Sequence, residues 1–208
     1  MKHVVQILGF VLLSSFSTMA GAVTPLQKHV GFFDEDENGL ITIMENYNGL
    51  RKLGFDIWES AKIATIVGLV MGPKTYYSIL DVFSLNITNI NKSIHDSDTG
   101  IYDKEGNFNE QTLRDLFSKF DTNQDGALSE EEINVMLEAN AETYFGHSAS
   151  RGEFAFLMRL GSENKKINGK ATPVVTYETM VEMYEGRLLY QVAKNLALQK
   201  KGPVKSDL

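Results

Sequence analysis

Asp34-Glu35-Asp36-Glu37-Asn38-Gly39-Leu40-Ile41-Thr42-Ile43-Met44-Glu45 is the stretch on which the reading of this chain turns, and Asp121-Thr122-Asn123-Gln124-Asp125-Gly126-Ala127-Leu128-Ser129-Glu130-Glu131-Glu132 repeats its pattern. A calcium ion takes roughly six to eight oxygen ligands in a flexible geometry, and one short loop can wrap round it to supply them. In the first stretch Asp34, Asp36 and Asn38 stand at positions one, three and five, and Gly39 at six allows the sharp turn. Leu40 offers its carbonyl at seven, Thr42 acts at nine, often through water, and Glu45 at twelve can clamp the ion with both oxygens. The second stretch supplies Asp121, Asn123, Asp125, the Ala127 carbonyl, Ser129 and Glu132 in the same places, with Gly126 at the turn. An acidic turn meets every requirement by accident rarely, and twice in one chain far more rarely. The clamp at twelve favours Ca2+ over Mg2+, which wants a tight octahedron and keeps its water. The expectation is two bound Ca2+ ions.

The flanking residues are helical. Pro25–Phe33 carries Leu26, His29, Val30 and Phe33 on one stripe, and Met44–Leu53 leaves the first loop and stops at Gly54. Glu110–Phe120 places Leu113, Leu116, Phe117 and Phe120 on one face, and Ile133, Met136 and Leu137 follow the second loop. The predicted fold class is therefore mainly α, with EF-hand helix–loop–helix units in a single compact α-helical domain. Ile57–Met71 reads as an apolar helix ended by Gly72-Pro73. At about 15 residues it is shorter than the roughly 20 a bilayer span needs. Burial is the plainer reading of it, and an interfacial or partner-binding helix the other. Tyr76–Leu85 reads as a further helix, Asn86–Asn109 as a polar stretch, Phe154–Leu160 as a buried helix, Gly161–Thr172 as a polar connector, and Val174–Leu198 as containing a last helix. Ile41 at position eight is apolar, as the short strand that joins paired loops requires. Yet the loops start 87 residues apart, Asp34 to Asp121, so each calls for a partner loop that lacks ligands. Ser162–Lys170 lies at a suitable distance for the second.

Composition narrows the function classes. The 208 residues carry a net charge of −7, with basic residues grouped only as Lys165-Lys166 and Lys200-Lys201, which argues against nucleic acid as a partner. There is no cysteine, hence no disulfide, thiolate metal site or Cys-ligated haem. Lys2, the apolar run Val4–Phe16 and the small residues Ala20-Gly21-Ala22 form a secretory signal pattern. The expected organisation is a signal peptide over 1–22, one domain over 23–198 and a loose tail over 199–208. The destination is secreted or periplasmic. Cleavage leaves 19 basic against 27 acidic residues, a net −8. Asn86-Ile87-Thr88 and Asn91-Lys92-Ser93 are glycosylation sequons, meaningful only in a eukaryotic secretory route.

Further segments make the chain recognisable. Leu26-Gln27-Lys28-His29-Val30 and Phe32-Phe33-Asp34 lead into the first loop, and Glu45-Asn46-Tyr47-Asn48-Gly49-Leu50-Arg51 and Leu53-Gly54-Phe55 leave it. Asn89-Ile90, Lys92, His95-Asp96-Ser97-Asp98, Tyr102-Asp103 and Glu105-Gly106 follow, with weaker echoes in Phe117-Ser118-Lys119, Phe145-Gly146, Glu153-Phe154 and Glu185-Gly186. In these segments and their order the chain resembles the caleosin family, calcium-binding haem peroxygenases. The resemblance implies a haem b held by two histidines needed for activity, at the positions of His29 and His95. It also implies oxygen transfer from a fatty-acid hydroperoxide to an unsaturated fatty acid or another acceptor, as epoxidation, hydroxylation or sulfoxidation. Imidazole is the side chain here suited to haem iron, apart from tyrosine and methionine. The family's proline knot is missing, Pro73 being the single proline between Pro25 and Pro173. Lipid-droplet anchoring is therefore not expected, while peripheral contact with a lipid surface stays open. His147 stands where plant members carry tryptophan. The alternative is a non-catalytic calcium-binding protein with a lipid-associated or signalling role.

Overall fold

The computed structural model describes residues 22–76, 78–94, 99–140 and 144–201. The signal-peptide reading falls almost wholly outside these residues, as do His95 and the last seven residues of the expected tail.

Helix α1 (Pro25–Gly31) begins where Thr24 and Gln27 form a reciprocal capping box and Pro25 occupies the first turn. After the first loop comes the short strand β1 (Leu40–Ile41). Thr42 then caps α2 (Ile43–Lys52), again in a box with Glu45. Helix α3 (Ile57–Thr75) starts from a third such box, Asp56 with Glu59. A 3-10 turn at Ile79–Asp81, the strand β2 (Leu85–Asn86) and a 3-10 helix at Ile87–Ser93 close this half. The second half repeats the plan with α4 (Glu110–Phe120), β3 (Ala127–Ser129), α5 (Glu130–Asn140) and α6 (Tyr144–Gly161). It continues with the hairpin β4 (Glu163–Ile167) and β5 (Lys170–Thr176), then α7 (Tyr177–Tyr184) and α8 (Leu188–Lys201).

The strands decide how the loops are partnered. Ile41 pairs antiparallel with Leu85, and Leu128 with Val175. Each acidic loop is thus joined to a ligand-poor segment of its own half, and β1 and β3 do not pair with each other. The partner of the first is the turn between α3 and the 3-10 helix; the partner of the second is the β4–β5 hairpin. Three buried clusters follow from this. One surrounds α4, α5 and α7 (Leu113, Leu128, Met136, Met180), one lies between α2 and α8 (Leu50, Phe55, Leu189), and one lies under β1 and β2 (Leu26, Ile41, Leu85, Ile90). Met183 and Val192 pack against the first two and Phe33 against the last two, so the clusters form one continuous core.

The mainly helical expectation holds, with a two-stranded and a three-stranded sheet added. Several boundaries differ from those read in the sequence. Gly161–Thr172 is not a connector but most of a hairpin, turned at Asn168-Gly169 with φ of 51° and 81°. Those positive angles match the twist of the flanking strands. Tyr76–Leu85 is a short 3-10 turn and a strand rather than a helix. Val174–Leu198 is strand, helix and helix, broken at Glu185-Gly186.

Helix α3 runs through Gly72 and Pro73 to Thr75, 19 residues in all. Pro73 removes one N–H from the last turn, but the Tyr76 N–H still reaches the Gly72 carbonyl at 2.9 Å and closes the helix. Its buried face is made of small residues, Ser60, Ala64, Gly68, Gly72 and Thr75. A Cβ at Gly68 would meet Ile43 Cγ1 at 2.7 Å, and one at Gly72 the Val82 carbonyl at 2.6 Å. Ile63, Val67 and Met71 pack at the margin of the core, while four other large side chains point outward: Trp58 is 84% exposed, Ile57 58%, Leu69 51% and Ile66 49%. The helix is not buried in the expected sense. Among the described residues no helix is long and apolar enough to cross a membrane.

Candidate functional site

The two acidic loops adopt one geometry. In the first, Asp34 accepts from the Asn38 N–H at 3.2 Å and the Gly39 N–H at 2.9 Å. Asp36 accepts from the Asn38 N–H at 3.2 Å, and the Asn38 side-chain oxygen accepts from the Leu40 N–H at 2.7 Å. In the second, Asp121 accepts from Asp125 at 3.1 Å and Gly126 at 2.9 Å, Asn123 from Asp125 at 2.9 Å, and Asp125 from Ala127 at 3.0 Å. The turn is tight enough to force positive φ at Glu37 and Gly39 in one loop and at Gln124 and Gly126 in the other. A glycine adopts this angle without the Cβ penalty that other residues carry.

Positions nine and twelve of each loop bond each other. Glu45 accepts from the Thr42 N–H at 2.9 Å and the Thr42 hydroxyl at 2.7 Å, while its other oxygen accepts from the Glu35 N–H at 3.2 Å. Glu132 accepts from the Ser129 N–H at 3.0 Å and hydroxyl at 2.9 Å, and from the Thr122 N–H at 2.9 Å and hydroxyl at 2.8 Å. The helix cap thus aims the clamp carboxylate back across the loop. Burial opposes ionisation of both glutamates. Hydrogen bonds from Thr42, Glu35 and Asp36 in one case, and from Ser129 and Thr122 in the other, outweigh it and hold each carboxyl below its ordinary range. Ligand oxygens of Asp34, Asp36 and Glu45 lie within 4.8 Å of one another, a concentration of negative charge suited to one divalent cation.

The first loop begins three residues beyond the end of α1, and His29 sits in the last turn of that helix. Its Nδ1 is buried with no hydrogen-bond partner. The main chain of Met183 on α7 lies beside the ring and acts to raise the imidazole pKa. Burial is the larger effect and pushes the pKa below its ordinary value, with the Met183 main chain and the charge of Glu153 opposing it. The ring is therefore neutral near pH 7, with its Nδ1 unpartnered. A neutral imidazole with an unpartnered nitrogen is the form in which histidine ligates metals. The unpartnered nitrogen of a neutral ring is a donor type that fits haem iron, and His29 would be a residue to hold that group were it bound.

His29 is also where the two halves meet. Gly186, with φ of 71°, follows α7 and lies so close that a Cβ there would stand 2.6 Å from the His29 main-chain nitrogen. Through Met183, α7 reaches the imidazole, and β5, paired with the second loop, runs directly into α7. Met183 had no sequence signal, because a helix end cannot be assigned to a distant histidine without the tertiary fold. Gly186 had one, its place in the Glu185-Gly186 segment. The second expected histidine, His95, lies outside the described residues, and the His147 side chain does too.

A family model described as caleosin related protein matches residues 21–193. A peroxygenase of Lilium longiflorum is 31% identical over 180 residues, which cover 85% of this chain and 72% of the lily protein. A protein of Arabidopsis thaliana named "Probable peroxygenase 4" is 33% identical over 121 residues, 56% of this chain and 61% of that protein. No solved structure matches the chain.

Proposed function

The chain belongs to the caleosin family, and from that premise we propose that it is a calcium-binding haem peroxygenase whose two acidic loops are EF-hands. It would take oxygen from a fatty-acid hydroperoxide and pass it to an unsaturated fatty acid or another acceptor, by epoxidation, hydroxylation or sulfoxidation. The observation that carries the reading is His29: a neutral imidazole whose Nδ1 is buried without a hydrogen-bond partner, on the helix that enters an acidic loop. His29 and His95 would hold haem b, which when bound supplies the oxygen-transfer chemistry. Burial keeps the His29 ring unprotonated near pH 7. Calcium in the first loop would be held by Asp34, Asp36, Asn38, the Leu40 carbonyl, Thr42 and Glu45. In the second loop the ligands would be Asp121, Asn123, Asp125, the Ala127 carbonyl, Ser129 and Glu132. An ion at Asp34 anchors the end of α1 and so the position of His29.

The outward apolar face of α3, with Met44 63% exposed and Phe83 52%, supports peripheral contact with a lipid surface, where such substrates reside. The same face is what a non-catalytic, lipid-associated calcium-binding protein would carry, and haem separates the two readings. Export by residues 1–22 belongs to the proposal as well. In the test, purified protein titrated with haemin develops a Soret band that His29→Ala and His95→Ala each weaken. Chelation of calcium shifts the band. A protein that binds two calcium ions yet gains no Soret band refutes the peroxygenase reading and favours the non-catalytic one.

A further inference from the structure

Lys165 stands on β4, the outer strand of the sheet whose order is β3-β5-β4. Its Nζ donates to the Asp125 carbonyl at 2.6 Å and lies 3.8 Å from Asp125 Oδ1. The two side chains are 29% and 26% exposed, so water screens the pair only in part. Asp125 is a ligand position of the second loop, and the lysine comes from a hairpin 40 residues further along the chain. Among the described residues the first loop has no counterpart. Its nearest basic partner, Lys52, pairs with Glu35 at 3.1 Å, a residue at the non-ligating second position, and both of those side chains are about half exposed.

The loops are otherwise matched, each with three carboxylates at ligating positions: Asp34, Asp36 and Glu45 against Asp121, Asp125 and Glu132. The charge count of the ligands is a principal determinant of how tightly such a loop holds calcium. We propose that Lys165 is a tethered counter-cation of the second loop, lowering its calcium affinity so that the two loops fill in order, the first before the second. This rests on the reading that both loops take calcium. An ion entering the second loop either meets a positive charge beside its ligand Asp125 or displaces the ammonium from it. A unit charge one shell away from a divalent ion, at a water-like dielectric, weakens binding by about tenfold.

Calorimetric titration of the full-length protein with calcium tests this, with the first loop silenced by Glu45→Gln so that one site remains. Adding Lys165→Met, which keeps the aliphatic stem, is expected to tighten that site by about tenfold, with the gain shrinking as salt rises. Lys165→Arg is expected to leave the affinity near that of the parent. In the converse background, Glu132→Gln, Lys165→Met leaves the first site unchanged. Unaltered or weaker binding in Glu45→Gln/Lys165→Met overturns the proposal and makes Lys165 a strut for the loop. A Glu45→Gln protein that takes up no calcium overturns the calcium reading of the second loop itself, and this proposal with it.

Discussion

Replacing Gly186 with alanine places a methyl carbon 2.6 Å from the His29 main-chain nitrogen, and 3.0 Å from both His29 Cα and the Lys28 carbonyl carbon. All three are backbone atoms of α1, so no side-chain rotation relieves the clash. The backbone at Gly186 also has φ of 71°, a conformation that costs about 1–2 kcal/mol for a residue with a Cβ. Overpacking against an unyielding partner adds roughly 1–3 kcal/mol. The sum, about 2–5 kcal/mol, corresponds to a fall in Tm of roughly 4–20 °C for a domain of this size. The fold can escape by moving α1 away from α7, which shifts His29 relative to Met183 and turns the imidazole. Gly186→Ala is therefore expected to lose haemin affinity more steeply than its stability alone explains. Differential scanning calorimetry gives the first effect and the Soret titration the second. Gly152→Ala is the control, since nothing lies within 4 Å of its would-be Cβ and the position is helical. It is expected to gain roughly 0.5–1 kcal/mol. A Gly186→Ala protein that melts within a degree of the parent and binds haemin equally well would refute the packing of α1 on α7 and its role in holding His29.

The pH dependence of stability separates His29 from the clamp glutamates. The folded-state pKa of His29 lies below its ordinary value of about 6.5, so its contribution is complete above that pH and is lost as pH falls through the folded value. In calcium-free buffer Tm should decline between pH 7 and 5, and His29→Phe should flatten that decline; equal slopes in the two proteins would contradict a buried neutral ring. Glu45 and Glu132 also have lowered pKa values, but their contribution is present above the ordinary carboxylate range and is lost at lower pH, so Glu45→Gln changes only the acid limb. Trp58, the single tryptophan, is 84% exposed at the start of α3, so its fluorescence reports lipid contact directly. Vesicles are expected to shift its emission to the blue, and an unchanged spectrum at saturating lipid would remove the lipid-surface role of that helix.

Much of the candidate site was legible because its determinants are local. Every proposed ligand of each loop lies within twelve residues, the glycine that permits the turn is at a set position, and the capping pairs Thr42–Glu45 and Ser129–Glu132 are three residues apart. The hairpin at Asn168-Gly169 carried a turn signal strong enough to be read, but the polar, lysine-bearing β4 masks it as a connector. Helix α3 misled for a different reason. Its faces differ in side-chain size rather than in polarity, so hydropathy along the sequence shows length but not which side packs inward.

The amino-acid order by itself determined the mainly helical class, the two acidic loops and the placing of a histidine beside the first of them, since these depend on neighbours a few bonds away. Tertiary structure alone decided that each loop pairs within its own half, that the fully buried face of α3 is made of small residues, that Met183 meets His29 and that Lys165 meets Asp125. Contacts between residues tens of positions apart follow from which surfaces pack best over the whole chain, and no short stretch of sequence holds that information.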